Sequence, residues 1–291
     1  MGRHRLWALT LTLAVATGSA VAPPSTAGTA PPRDKRLASV RSFALAIGSG
    51  SLRGDLTRRY RGYDLVVLDG SEATGGQVAA LRAHGRLVLG YLDVGTIERA
   101  RPWSHAALAY RLGLWADWGE YYADVSRPGL RRLMADQVAP TILAKGFDGL
   151  FLDNVDMVED HPSQGVGMRL LVGAIAARVH AAGGLLFSQN GEDSIAPLLG
   201  YLDGWNREDA TSTYDFARRA YRRQSRPERR RAHGALARMA RAGLLVTTTD
   251  YTRRGDAAGA EASRRMACGA GAVPFVSDIG LTRVAQPPAR C

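Results

Sequence analysis

Cysteine is scarce in this chain, which holds two in 291 residues, Cys268 and Cys291. Neither is expected to be a thiol nucleophile, because no histidine stands near them and Cys291 is the last residue. Long apolar runs are scarce too. Beyond residue 21 no stretch approaches the roughly twenty residues of a membrane helix, so no membrane span is expected. No Gly-x-Gly-x-x-Gly follows an early strand, and neither a P-loop nor a His-Glu-x-x-His sequence occurs. Dinucleotide, nucleotide and zinc-protease chemistry therefore lack their marks, and no cofactor or metal is expected.

Acidic residues are outnumbered, 27 against 38 basic, for a formal net charge of +11. Much of the excess lies in Arg218, Arg219, Arg222, Arg223, Arg226, Arg229, Arg230 and Arg231. Only Tyr221 is interleaved with them, so bases have no stacking platform; the run reads as the solvated face of a helix with its loop, and nucleic acid is not expected as a partner. Residues 1–27 stand apart. Arg3, His4 and Arg5 precede the apolar run 6–21 and small residues follow, the pattern of a secretory leader, with cleavage after Ala20 or Ala27. An exported chain with two cysteines most simply pairs them, tying Cys291 to the final helix through Cys268. Residues 28–37, rich in proline and small residues, read as a disordered lead-in. That leaves 38–291 as one domain, long enough to bury its own core and expected to act as a monomer.

What is present is alternation. Apolar segments at 43–48, 63–69, 86–93, 146–153, 184–190, 202–208, 244–251 and 271–277 read as strands. Ala- and Arg-rich segments at 76–84, 130–145, 168–182, 228–242 and 257–268 read as helices between them. Eight β-then-α units predict a single-domain α/β fold, a (β/α)8 TIM barrel, with a doubly wound open sheet as the alternative. The centre of this pattern is Gly146-Phe147-Asp148-Gly149-Leu150-Phe151-Leu152-Asp153-Asn154-Val155-Asp156. It reads as a buried strand that delivers Asp153 to its carboxyl end, where ligands of parallel α/β folds bind. An Asp or Asn there can also be a helix cap. Yet Asp69, Asp93, Asp153, Gln189 with Asn190, Glu208, and Asp250 with Tyr251 all fall at strand ends, which predicts one shared mouth.

Aromatic residues make up 7% of the chain, yet they crowd into the connection 94–128, which carries Glu98, Arg99, Arg101, Trp103, Trp115, Trp118, Tyr121, Tyr122 and Asp124. Connections this long are usually functional. Flat faces beside hydrogen-bonding groups suit sugar rings, and one or two of the tryptophans are expected to face the cleft while the others cover the barrel.

Tyr91-Leu92-Asp93-Val94-Gly95 followed by Glu98, then the central stretch, Asn190-Gly191, Glu208 and Thr249-Asp250-Tyr251 resemble, in this order, glycoside hydrolase family 114. The resemblance covers residues 42–277. It implies a (β/α)8 barrel of the endo-α-1,4-polygalactosaminidase kind, a retaining enzyme whose partner is an α-linked amino-sugar polysaccharide; that it is secreted is what the leader adds. By place in the motif, Asp153 matches the nucleophile and Glu208, in Asp203-Gly204-Trp205-Asn206-Arg207-Glu208, the acid/base; Glu192 is the second choice. The chemistry agrees, since glycosidic cleavage needs two carboxyls in different protonation states. Asp153 is expected to stay ionised with help from Asn154 or Tyr91, and Glu208 to hold a proton, raised by the nearby carboxylate and by burial beside Trp205. Asp69, Asp93 and Asp250 are expected to bind hydroxyl or ammonium groups, with Tyr91, Glu98, Trp103, Asn154, Asn190 and Tyr251 completing the subsite. Two rival readings are a sugar-binding protein that cuts nothing, and a phosphoesterase holding Mg²⁺ or Ca²⁺ on Asp153, Asp156, Glu159 and Asp160.

Overall fold

A computed structural model of the protein describes residues 34–291. The expected leader and the first residues of the lead-in lie outside the described residues. Eight parallel strands are hydrogen-bonded in chain order: β1 Phe43–Ala46, β2 Leu65–Asp69, β3 Leu87–Asp93, β4 Gly149–Asp153, β5 Leu185–Gln189, β6 Gly204–Glu208, β7 Leu245–Tyr251 and β8 Val273–Ser277. β8 comes back beside β1, so the sheet nearly closes on itself as a barrel. Every residue of β1, β2 and β7 is buried. Helices cover the outside and side chains fill the inside, which is why these strands carry little of the polar alternation of a half-exposed sheet. Phe43 of β1 meets Phe151 of β4 at 6.4 Å and Phe275 of β8 at 5.9 Å between ring centres, so aromatic rings fill the lumen.

Parallel neighbours need a crossover, and helices Gly75–Arg82, Gly165–Ala181, Arg226–Arg241 and Ala257–Gly269 supply four of them. The helix before β4 runs over 128–143 with a π-helical middle, Leu133–Val138. Pro140 accounts for the wider turn, since it has no N–H to donate and its ring crowds the preceding carbonyl. The last residues of the expected lead-in are structured: Lys35–Ser39 forms a 3₁₀ turn capped by Asp34, and Leu37 is wholly buried. One apolar side chain anchors that segment to the domain. At the other end Cys268 and Cys291 are disulfide-bonded, closing a loop with a sequence separation of 23. On the chain-entropy model such a loop stabilises by about 3 kcal/mol.

Two connections carry structure that the sequence did not disclose. After β3, residues Thr96–Ile97, Arg111–Trp115 and Glu120–Ala123 form a three-stranded antiparallel sheet. After β6, Ser212–Asp215 pairs with Ala220–Arg223, with Tyr214 against Tyr221 at 5.0 Å. The arginine run is therefore split. Arg218 and Arg219 lie in the hairpin turn and Arg222 and Arg223 on its second strand, while the helix starts only at Arg226, behind a Ser225–Glu228 capping box.

Candidate active site

Three successive strands end alike. Asp153, Gln189 and Glu208 close β4, β5 and β6, and the residues that follow, Asn154, Asn190 and Asp209, have φ of 55°, 55° and 56°. Asn and Asp tolerate this left-handed conformation better than other residues with a Cβ. The chain turns aside there, and the last side chain of each strand aims into the mouth. Gly95, after β3, is needed for close approach, since a Cβ there would stand 1.9 Å from the Asn154 carbonyl oxygen.

Asp153 receives three hydrogen bonds: Tyr91 Oη donates to Oδ2 at 2.6 Å, and the Asn154 amide and Gln189 Nε2 donate to Oδ1 at 2.7 and 2.9 Å. Burial pushes its pKa above the usual carboxylate value, and these donors oppose the shift by favouring the ionised form. Gln189 is held in turn by Asn206, whose Nδ2 donates to Oε1 at 2.8 Å, and Asn206 accepts from Thr247 Oγ1 at 2.8 Å. Glu208 accepts from Asn190 Nδ2 at 2.9 Å and from the Tyr251 hydroxyl. Its pKa is pushed up to about 8 by burial first, then by the charges of Asp153 and Asp209. Trp205 is not its neighbour: strand parity puts the indole on the other face of β6, where Nε1 donates to the Asn190 carbonyl at 2.6 Å.

Asp153 and Glu208 open onto one cavity of about 450 Å³. Tyr91, Asp93, Glu98, Asn154, Asn190 and Tyr251 line it with them, together with Trp115 and Trp118 from the added sheet and Phe216 from the hairpin. Three expected substrate ligands do not reach it. Asp69 spends Oδ1 on the amides of Ser71 and Glu72 and Oδ2 on Arg101, at 2.5 Å. Asp250 is wholly buried, taken up by Thr211, Ser212 and Ser263. Trp103 packs against the core instead. Asp93 does line the cavity, but both its oxygens are occupied, by Gly95, Thr96 and Asn154. An acid at a strand end thus more often satisfies the turn that follows it than a ligand.

Other carboxyls stand in the mouth with no such saturation; sequence reasoning missed Glu120 and Asp209 as site residues and offered Asp156 only as a metal ligand of the rival reading. Glu120, on the added sheet, is raised to about 7 by burial and the charges of Glu98 and Asp153, against the hydrogen bond from Thr96. Asp156 is raised to about 7 and Asp209 to about 6, burial leading in both. Glu98 is raised by burial but gripped by Arg101 at 2.6 Å on each oxygen. Glu192 lines a neighbouring recess, paired with Arg207 at 3.1 Å. The phosphoesterase reading loses its ligand set: Glu159 and Asp160 are exposed, and among the described residues no group of three or more His, Cys, Asp or Glu is placed to hold a metal ion.

The model of glycoside hydrolase family GH114 matches residues 21–287. The chain belongs to that family. The enzyme is accordingly a glycoside hydrolase. An uncharacterized protein of Deinococcus radiodurans is 26% identical over 279 residues, which cover 90% of this chain and 88% of that one. Among solved structures, the glycoside hydrolase domain of PelA from Pseudomonas aeruginosa superposes with a TM-score of 0.71 at 23% identity, covering 84% of this chain and 97% of that domain. Ega3 of Aspergillus fumigatus, in complex with galactosamine, gives a TM-score of 0.67 at 18% identity, covering 88% and 96%. Both share the barrel. Among the described residues, no helix is long and apolar enough to cross a membrane.

Proposed function

We propose that this glycoside hydrolase is a secreted, endo-acting retaining enzyme that cleaves α-1,4-linked galactosamine-type polysaccharide, with Asp153 as nucleophile and Glu208 as acid/base. The observation that carries the reading is the unlike surroundings of two carboxyls in one cavity: Asp153 has three donors favouring its charge against the burial that raises its pKa, and Glu208, raised to about 8, retains its proton at neutral pH. Asp153 attacks the anomeric carbon while Glu208 gives its proton to the departing glycosidic oxygen, breaking the bond and leaving a glycosyl ester on Asp153. Glu208, now ionised, takes a proton from water, whose oxygen displaces Asp153 and restores the anomeric configuration. Tyr251 and Asn190 hold Glu208 through both steps.

The choice of sugar is supported by the galactosamine-bound relative of like fold and by the unsaturated acids of the mouth. Endo action is supported by an open rim of Trp115, Trp118 and Phe216, against which further sugars can stack. Export is supported by the leader-like N-terminal segment and the disulfide. The test is hydrolysis of an α-1,4-galactosamine oligomer by Asp153→Asn and Glu208→Gln. Each is expected to lose roughly 10²- to 10⁴-fold in kcat, and Glu208→Gln with azide and an activated substrate should yield an α-glycosyl azide. Near-full activity in either variant removes that residue from its role.

A further inference from the structure

The acids of the mouth differ in what they already hold. Glu98 has the Arg101 guanidinium across both oxygens, and Asp93 accepts hydrogen bonds at both of its own. Glu120 has neither. Among the described residues it makes no ion pair, and its hydrogen-bond partner is the Thr96 hydroxyl, at 2.7 Å from Oε2. That hydroxyl also stands 2.5 Å from Asp93 Oδ2.

A hydroxyl has one proton to give. With both carboxyls ionised, one of these contacts would press lone pair against lone pair at hydrogen-bond distance. The pair therefore retains a proton. Asp93, 1% exposed and raised by burial and by the charges of Glu98, Asp153 and Glu120, is the member that keeps it, which leaves the Thr96 hydroxyl to donate to Glu120. Glu120 is left as a half-buried carboxylate aimed at the cavity, with Glu98 and Asp153 repelling it and Arg101 offsetting them in part. A cation in the mouth completes this arrangement.

The neighbouring ring says where that cation sits. Trp115 is directly opposite Glu120 in the antiparallel pair, which places their Cβ atoms about 5 Å apart on one face of the sheet. Both side chains line the cavity. A sugar lying against the indole presents a ring substituent to the carboxylate.

We propose that Glu120 is the specificity-determining residue for a free ammonium group on the sugar, and that Thr96 and Asp93 are positioning residues that aim its carboxylate. The assignment rests on the amino-sugar reading above and names the group that makes the selection. An N-acetyl group offers the same carboxylate a neutral amide and a methyl, losing the attraction between opposite charges.

The experiment is calorimetric titration of the non-cleaving Asp153→Asn protein with a galactosamine tetramer and with its fully N-acetylated counterpart, repeated with Glu120→Gln added. The ratio of the two affinities is expected to fall about tenfold, the size of one charge-assisted hydrogen bond. Thr96→Val, which keeps the shape and removes the hydroxyl, moves the ratio the same way by a smaller factor. An unchanged ratio in Glu120→Gln, or equal weakening of both ligands, overturns the assignment. Cleavage by the wild-type chain, measured alongside, separates the two claims: a chain that prefers the ammonium ligand but cuts neither tetramer defeats the reaction and leaves Glu120 in place. A chain that cuts the galactosamine tetramer while the Glu120→Gln ratio stays put does the reverse.

Discussion

The two walls of the cavity are built by different means. On the strand wall Asp153, Gln189 and Glu208 hang from adjacent strands, and each polar atom is fixed by another: Thr247 and Thr249 on Asn206, Asn206 on Gln189, Gln189 on Asp153. On the loop wall Trp115 meets Trp118 edge to face at 6.4 Å, and Trp118 meets Phe216 of the other hairpin at 5.2 Å. Trp118 is 46% exposed. Directional bonds between strands hold an atom to a fraction of an ångström, which bond-making requires. Ring-to-ring packing at an exposed rim holds a surface, which is enough for stacking a sugar. On the proposed assignment the comparison teaches a division of labour in which reaction rests on the strands and selection on the insertions.

The largest expected effect that tests this division is on pH dependence. Glu208 must carry its proton and Asp153 must not. With Glu208 raised to about 8, kcat/KM should fall roughly tenfold per unit above that pH as the proton is lost. On the acid side protonation of Asp153, whose pKa lies above the usual carboxylate value, removes the attacking charge. An alkaline limb near pH 5 in the measured profile would contradict the assignment of Glu208. Next in size is Tyr91→Phe, which removes the 2.6 Å donor from Asp153. Because that bond favours the ionised form, its loss should lower kcat about 10- to 100-fold and move the acid limb upward. A purely structural tyrosine would leave the limb where it was. The smallest effect belongs to the loop wall. Trp118→Ala should raise KM on long oligomers about three- to tenfold through lost stacking, leave kcat within about twofold, and shift Tm little. Should kcat fall as far in Trp118→Ala as in Tyr91→Phe, the separation between the walls is false.

Much of the strand wall was legible in advance. The eight apolar segments, the acids at their ends and the pair Asp153 and Glu208 could all be named from spacing and motif, because barrel strands keep function at their carboxyl ends. What misled was the uniformity of those ends. Asp69, Asp93 and Asp250 look like Asp153 in sequence, yet the first holds Arg101 and a turn, the second is saturated by its own loop, and the third joins β7 to Ser263 of the final helix. Linear order does not say whether the nearest N–H groups belong to the protein or leave a lone pair for a ligand. The loop wall was readable only as a density of aromatic residues between 94 and 128. Its pairing of Glu120 with Thr96 joins residues 24 positions apart across a small sheet, and nothing local marks either one.

By itself, then, the order of amino acids determined the barrel, the family and the two carboxyls of its motif, since burial, period and turn chemistry are local properties that repeat along the chain. Tertiary structure alone decided which of the many acids stay unsatisfied, which tryptophans face the mouth, and how high Glu208 is raised. Those depend on desolvation and on charges brought close from distant strands, and both come into being only when the chain closes around the cavity.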